Sequence, residues 1–241
     1  MVWKREGENF VVVVQPDHLR VLATVIAGVA AGLVVFFAIS LLRRGSEVQP
    51  ARDASADSTS WADAPRFRVA VAGRPSLGAA EASVTIVEFT DYGCPVCRRY
   101  ATEILPLLLQ RYGDSVQHVV RHFPIPALTP NAMVAAAAAE CAHQQDRFWA
   151  YRNSLLSDTA PLSNEHLRSR AAAAGLDSVS FARCMASDAT RATVERDILD
   201  GWNYGVTGTP TFFINGRRFR GIRTLEELAS YIALAARDPD E

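Results

Sequence analysis

The chain has 241 residues, a hydrophobic fraction of 49% and a formal net charge of −1 at pH 7. That length allows one or two domains, and the apolar fraction is ample for a buried core. The near-zero charge gives no support for nucleic-acid binding, which requires a basic face, so we predict no nucleic-acid partner.

Residues 21–42 form a run of 22 positions without a charged side chain. A helix of that length, rising about 1.5 Å per residue, is about 33 Å long and crosses the core of a bilayer. We therefore predict a transmembrane anchor at 21–42, behind a short cytoplasmic tail at 1–20. The alternative is a cleaved signal peptide, whose apolar region is usually about 7–15 residues long and is closely followed by a small-residue cleavage site.

The residues around this run bear on its orientation and attachment. Basic side chains stand on both sides of it, so flanking charge leaves the orientation open. Residues 43–65 are polar, small and proline-containing, which predicts a flexible linker. The remaining domain, 66–241, carries all four cysteines of the chain. We place that domain outside the cytoplasm because disulfides form and persist in oxidising compartments.

Strand and helix patterns alternate after the linker. Period-two alternation at 66–72 predicts a half-buried strand, and a denser β-branched and aromatic run at 84–90 predicts a central strand. A helix is expected from 95 to about 112, kinked at Pro106 because proline interrupts the helical hydrogen-bond ladder. A further strand is predicted at 116–122.

A series of helical patterns comes next. Thr129 and Pro130 supply a cap residue and a proline at the first helical position, which predicts a helix over 131–143. Together with the segments after it, this helix forms a predicted helical insertion at about 128–204. The further helices are predicted at 147–156, 163–174, 178–186 and 188–204.

The chain then returns to strand patterns. Strands are predicted at 211–214 and 217–220, joined by the hairpin signal Asn215-Gly216, and an amphipathic helix is predicted at 225–236. The strand–helix–strand opening favours a right-handed parallel crossover, and the hairpin extends the same sheet. This order predicts the α/β class, with a sheet covered by helices and the insertion as a separate cap.

The pattern Cys94-Pro95-Val96-Cys97 lies directly after the central strand and opens the long helix. With Cys94 at the cap and Pro95 at the first helical position, the Cys94 sulfur faces unpaired backbone N–H groups of the first turn. Those donors and the helix dipole favour a thiolate and lower the thiol pKa, which creates a nucleophile and a good leaving group. Cys97 lies one turn further on the same face, placed to attack a mixed disulfide.

The other two cysteines, Cys141 and Cys184, lie in the predicted insertion. A zinc site with Cys94 and Cys97 would need two further ligands, but these cysteines stand alone rather than in a second CxxC pattern, so we predict no metal or other cofactor. They form either a second redox pair or a structural disulfide. We favour the structural disulfide, which outside the cytoplasm stabilises a protein by about 2–4 kcal/mol.

Glu88 lies on the predicted central strand, six residues before Cys94. The strand pleat either buries its carboxyl beneath the cysteine pair or turns it to solvent on the opposite face. A buried carboxyl beside a thiol can accept and return a proton during exchange, and we favour this reading. His118 and His122 are interpreted as ordinary strand residues.

Three segments, 85–97, 131–149 and 205–216, resemble the DsbA-like branch of the thioredoxin superfamily. The resemblance implies a thioredoxin fold with an inserted α-helical domain. It also implies that Pro210 is a cis-proline packed against the active-site disulfide and that the backbone of Thr209 pairs with an extended client segment. Glu88 matches the acidic position that precedes the cysteine pair in this family.

The resemblance predicts a thiol–disulfide oxidoreductase with three possible roles. The leading hypothesis is an oxidase that introduces disulfides into secreted or membrane clients and is reoxidised by a membrane partner of the DsbB or vitamin K epoxide reductase type. The second is a reductase or isomerase, because Val96 stands where the strongly oxidising members have a histidine that helps to hold the thiolate. The third is a client-binding module in which the redox pair is secondary.

Overall fold

The computed structural model describes residues 2–6, 9–13, 63–157 and 159–238. The chain divides into two units, Met1–Ser55 and Ala56–Glu241. The predicted anchor at 21–42 lies outside the described residues, and none of the helices that are described is both long and apolar enough to cross a membrane.

In the first unit, two short strands pair antiparallel. Strand β1 (Val2–Glu6) lies beside β2 (Asn9–Val13), with Val2 opposite Val13 and Glu6 opposite Asn9. This hairpin lies within the segment predicted only as a tail at 1–20.

The second unit is built on a five-stranded mixed sheet with the order β3-β5-β4-β6-β7. The central strand β4 runs parallel to β5 and antiparallel to β6, while β3 and β7 are antiparallel edge strands. The predicted α/β class and the predicted strands from 84 onward are confirmed. The strands are β3 (Ser76–Gly78), β4 (Val84–Thr90), β5 (Val116–His122), β6 (Thr211–Ile214) and β7 (Arg217–Arg220).

The strand predicted at 66–72 is wrong. Only Arg66 forms a bridge, with Arg217, and the edge strand beside β5 is instead β3. Alternate apolar side chains of the segment (Phe67, Val69 and Val71) pack against a cluster that contains Phe89 and Phe213. The period-two pattern therefore records alternate burial against the sheet rather than pairing within it.

The long helix after the cysteine pair has three segments, α1 (Pro95–Arg99), a π-helical segment (Tyr100–Ile104) and α2 (Leu105–Tyr112). The sequence predicts one helix with a kink at Pro106, and the structure instead contains a wider turn just before that residue. Because proline has no N–H to donate and its ring crowds the carbonyl four residues back, the helical ladder adjusts on the N-terminal side of Pro106.

Among the described residues between β5 and β6, five helices form the insertion. Its first helix begins at Ala132, with Asn131 at the cap in a left-handed conformation (φ 62°), so the predicted cap at Thr129 is wrong. The Thr129 side chain does not cap the helix. It packs on Gly93 and forms a hydrogen bond with Asp91 beside the cysteine pair. The helices are α3 (Ala132–His143), α4 (Phe148–Leu156), α5 (Asn164–Ala173), α6 (Ser178–Met185) and α7 (Asp188–Asn203).

A final helix, α8 (Leu225–Arg237), begins with a capping box in which Thr224 and Glu227 exchange side-chain-to-backbone hydrogen bonds. Its apolar face, with Leu228 and Tyr231, packs with Phe212 and Phe219 of the hairpin in one buried cluster. A second cluster is formed by the small alanine face of α3 and larger side chains of α4 to α7, together with Tyr92, Ala101 and Val120 from outside the insertion.

Buried charges join the sheet to the insertion. Arg121 of β5 donates to Asp197 of α7 at 2.6 Å, and Arg74 reaches the same carboxylate at 2.7 Å. The backbone N–H of His122 donates to the other oxygen of Asp197 at 2.9 Å. Since Arg121 and Asp197 are both fully buried, this network determines how α7 is seated against the end of β5.

Candidate redox site

Cys94 occupies the N-cap of α1 with an extended backbone (φ −73°, ψ 121°), and Pro95 takes the first helical position. The Cys94 sulfur accepts the backbone N–H of Cys97 at 3.4 Å. Cys94 is partly exposed and Cys97 is fully buried, while Val96 is 40% exposed on the rim. One thiol of the pair is therefore accessible to another protein, and the other is not.

The pKa values of the two thiols move in opposite directions. The pKa of Cys94 is lowered to about 6, chiefly by a hydrogen bond from the Cys97 thiol, with further help from backbone N–H groups of the first turn. Burial raises the pKa of Cys97 well above its usual value, and the charges of Cys94 and Glu88 add to that rise. At neutral pH Cys94 is the thiolate and Cys97 holds the proton.

The loop before β6 closes the other side of the pair. The Thr209–Pro210 peptide bond is cis. The carbonyl oxygen of Thr209 lies 3.4 Å from the Cys94 sulfur, and a side-chain hydrogen bond from Thr209 also lowers the Cys94 pKa. Thr211 anchors this loop by donating its hydroxyl to the Gly208 carbonyl at 2.6 Å.

A groove of about 290 Å³ opens beside Cys94. Leu128, at one side of it, is 77% exposed, and Thr129 packs so closely on Gly93 that a Cβ there would lie 2.0 Å from the threonine methyl. Glycine is therefore required at position 93 for the insertion to approach the cysteine loop. The groove is lined by Asp91, Gly93, Cys94, Pro95, Ile125, Leu128, Thr129, Thr207, Gly208, Thr209 and Arg220.

Glu88 lies in the interior, completely buried on β4, so the solvent-facing alternative is wrong. Its Oε2 accepts a hydrogen bond from Arg152 at 2.7 Å and lies 3.3 Å from His118 Nε2. Burial opposes ionisation most strongly, but the charge of Arg152 and the contact with His118 overcome it and hold the Glu88 pKa below its usual value. Glu88 is therefore a carboxylate at neutral pH.

Arg152 and His118 are site residues that the sequence analysis missed or treated as structural. Arg152 was detectable, because it shares one face of α4 with Phe148 and Leu155 at helical spacing, and a charge on an apolar face indicates a buried partner. His118 has no such signal, since a single histidine in a strand is compatible with many environments.

Cys141 and Cys184 form a disulfide that joins α3 to α6, with the Cα atoms 5.7 Å apart. Both sulfurs are used in this bond, so neither completes a zinc site with Cys94 and Cys97. Cys141 is fully buried in the core of the insertion, which supports the structural reading over a relay.

Residues 71–233 match the family model described as thioredoxin. The chain belongs to the thioredoxin family. With the paired cysteines at the start of α1, this thioredoxin-family chain is an oxidoreductase enzyme.

Solved structures confirm the thioredoxin fold. Oxidised BdbD from Bacillus subtilis superposes with a TM-score of 0.65 and 22% identity, over 73% of this chain and 99% of BdbD. A thioredoxin-like oxidoreductase from Silicibacter pomeroyi superposes with a TM-score of 0.63 and 29% identity, over 70% of this chain and 95% of that protein. The thiol-disulfide exchange protein alpha-DsbA2 from Wolbachia pipientis superposes with a TM-score of 0.60 and 24% identity, over 66% of this chain and 86% of that protein.

Curated relatives of this thioredoxin-family chain are much longer proteins. It is 38% identical over 144 residues to the Na(+)/H(+) antiporter NhaA of Herminiimonas arsenicoxydans, a match that covers 60% of this chain and 22% of the relative. It is 35% identical over 158 residues to Na(+)/H(+) antiporter NhaA 3 of Salinispora tropica, a match that covers 66% of this chain and 24% of the relative. The chain thus spans less than a quarter of these relatives.

Proposed function

We propose that this protein is a membrane-anchored oxidase that introduces disulfides into client proteins outside the cytoplasm. The observation that carries the proposal is the asymmetry of the pair, with an accessible Cys94 whose pKa is about 6 beside a buried Cys97. A stabilised thiolate favours the reduced form of the pair and so makes its disulfide a stronger oxidant.

The reaction proceeds by two thiol–disulfide exchanges. A client thiolate attacks the Cys94 sulfur of the oxidised pair; the Cys94–Cys97 bond breaks, and Cys97 leaves and takes a proton. A second client thiolate then attacks the client sulfur of the mixed disulfide. The client disulfide forms, Cys94 leaves as the thiolate, and two electrons have passed from the client to the pair.

Clients bind in the groove beside Cys94. An extended client segment pairs with the backbone of Thr209, which brings its cysteine onto the Cys94 sulfur. The exposed side chains of Leu128 and Val96 supply apolar contact for partly folded clients. Unfolded secreted and membrane proteins are the client class that this surface fits.

The pair must be reoxidised after each cycle. We assign this step to a membrane partner of the DsbB or vitamin K epoxide reductase type, which an anchor at 21–42 would hold in the same bilayer. Ion transport is not proposed, because the shared stretch covers less than a quarter of the antiporters.

A membrane-tethered reductase or isomerase is the second candidate, and Val96 is the observation that favours it. The side chain between the cysteines is apolar and offers no donor to the Cys94 thiolate. A client-binding module is the third, and it predicts that serine at both Cys94 and Cys97 leaves the cellular role intact.

The test is the reduction potential of the pair, measured by equilibrating the full chain with glutathione buffers and quantifying alkylated Cys94 and Cys97 peptides by mass spectrometry. Reference values run from about −120 mV for a strong oxidant to about −270 mV for thioredoxin. The oxidase is expected near the less negative end. A value near the more negative end would replace it with the reductase.

A further inference from the structure

Four polar side chains meet in the interior behind the cysteine pair, and they come from four different elements. Glu88 lies on β4, His118 on β5, Tyr100 on the π-helical segment and Arg152 on α4, and each is at most 1% exposed. Arg152 is the member that the helical insertion contributes, so the insertion reaches directly into the thioredoxin core.

The contacts of Arg152 are directed at Glu88. Its Nη2 donates to Glu88 Oε2 at 2.7 Å, and its guanidinium carbon lies 5.5 Å from the centre of the Trp149 ring. Its Nε and Nη1 have no hydrogen-bond partner among the residues that the structure describes. The carboxylate of Glu88 is therefore the group that compensates the buried charge of Arg152.

While Arg152 is present, none of the other described groups that face Glu88 carries a positive charge. Burial lowers the pKa of His118 and the charge of Arg152 lowers it further, so this histidine is neutral at neutral pH. Tyr92, Tyr100 and Cys97 also interact with the carboxylate, and the Glu88 charge raises the pKa of all three, in addition to the effect of burial. In the described part of the chain, Arg152 is the one permanently charged side chain that contacts Glu88.

We propose that Arg152 is a positioning residue for thiol exchange, which keeps Glu88 as an oriented carboxylate that accepts the proton of Cys97. This inference rests on the proposed use of Cys94 and Cys97 as a redox pair. It does not depend on the direction of electron flow, because Cys97 must lose its proton whenever it resolves a mixed disulfide.

Resolution begins when Cys94 carries a partner sulfur in a mixed disulfide. The Cys97 proton passes to the Glu88 carboxylate, and the Cys97 sulfur attacks Cys94. The Cys94–Cys97 bond forms, the bond from Cys94 to the partner breaks, and the partner leaves as a thiolate. Glu88 then returns the proton to solvent or to that thiolate, so two electrons have passed from the pair to the partner.

Without Arg152 the carboxyl loses its permanently charged partner, and burial then favours the protonated form. A buried carboxyl that lacks a cationic partner can have a pKa of about 8–9, which leaves about one-tenth or less of it ionised at pH 7. The resolving step would then slow in proportion to the lost carboxylate and would speed up again as the pH rises.

The test is the single-turnover resolution of a Cys94–glutathione mixed disulfide in the full chain, formed by adding oxidised glutathione to the reduced protein. Arg152→Met is expected to slow resolution about tenfold at pH 7, with the rate recovering toward about pH 9. Arg152→Lys, which keeps the charge, should restore much of the rate. Arg147→Met, at the exposed start of the same helix, is the matched control and should behave as the unmodified chain.

The outcomes separate this inference from the proposed function. If Arg152→Met resolves the mixed disulfide slowly at every pH, Arg152 has only a structural role. If the resolution rate is unchanged, the inference is overturned. If the unmodified chain forms no mixed disulfide with glutathione, the proposed function fails first. Should Arg152→Met not fold, infrared spectra of the reduced unmodified chain decide, since a protonated Glu88 at pH 7 would contradict the proposal.

Discussion

The Cys94 sulfur lies 3.4 Å from the carbonyl oxygen of Thr209, a residue 115 positions later in the chain. The contact joins the start of α1 to the loop before β6, and β4, which precedes Cys94, is paired directly with β6. Because the two segments are held by adjacent strands, the contact between the sulfur and this carbonyl is already formed in the folded unit.

The two cysteines are expected to respond differently to substitution. Cys94→Ser should abolish exchange, because the accessible nucleophile is lost. Cys97→Ser should instead accumulate a mixed disulfide between Cys94 and the client, since the resolving thiol is absent. Non-reducing gels with mass spectrometry of the adducts measure both outcomes, and adducts of equal yield in the two variants would contradict the assigned roles.

The reactivity of Cys94 should titrate near its lowered pKa. We expect the rate of alkylation of the reduced chain to be half-maximal at a pH of about 6. The same shift adds stability to the reduced fold as the pH rises from about 6 toward the usual thiol pKa, and this contribution is lost as the pH falls through about 6; above the usual thiol pKa the raised pKa of Cys97 acts in the opposite direction. Urea unfolding of the reduced chain, compared with the oxidised chain, measures the second effect; parallel pH profiles would contradict it.

Val96→His is expected to make the disulfide more oxidising. A histidine at this rim position can donate to the Cys94 thiolate and stabilise the reduced form. A tenfold gain in that stabilisation raises the reduction potential by about 30 mV. Equilibration with glutathione measures the change, and Val96→Ala is the control that removes bulk without adding a donor.

Removal of the Cys141–Cys184 disulfide should reduce stability without stopping exchange. The double substitution to alanine is expected to cost about 2–4 kcal/mol in the free energy of unfolding, because the bond between α3 and α6 no longer restricts the unfolded chain. Urea denaturation measures this cost. A loss of exchange between Cys94 and glutathione in a variant that remains folded would instead favour the relay.

Asp197→Asn should destabilise the unit more than other changes on α7. Asp197 is fully buried between Arg121 and Arg74, and its neutralisation weakens the hydrogen bonds to both cations while Arg121 keeps its ion pair with Asp200, so the expected cost is about 1.5–3 kcal/mol. Asp188→Asn, at the exposed start of the same helix, should cost less than about 1 kcal/mol. Comparable costs for the two variants in urea denaturation would contradict the structural role of the network.

Local patterns predicted the elements that depend on near neighbours. The strand at Val84–Thr90, the helix start at Cys94 and the hairpin around Asn215-Gly216 follow from residue types within a few positions. The predictions failed at 66–72 and at Thr129. Alternate side chains of 66–72 pack against the sheet without pairing in it, and Thr129 packs on Gly93 instead of capping a helix. Neither use leaves a local signal.

The sequence by itself determined the chemistry of Cys94, because a thiol at a helix N-cap meets the unpaired N–H groups of its own first turn. Only the tertiary structure decided that Cys97 is buried, that Thr209 lies beside Cys94, and that Arg152 pairs with Glu88 across 64 positions. Such contacts depend on where distant segments meet, and that is decided by the burial and packing of the whole unit.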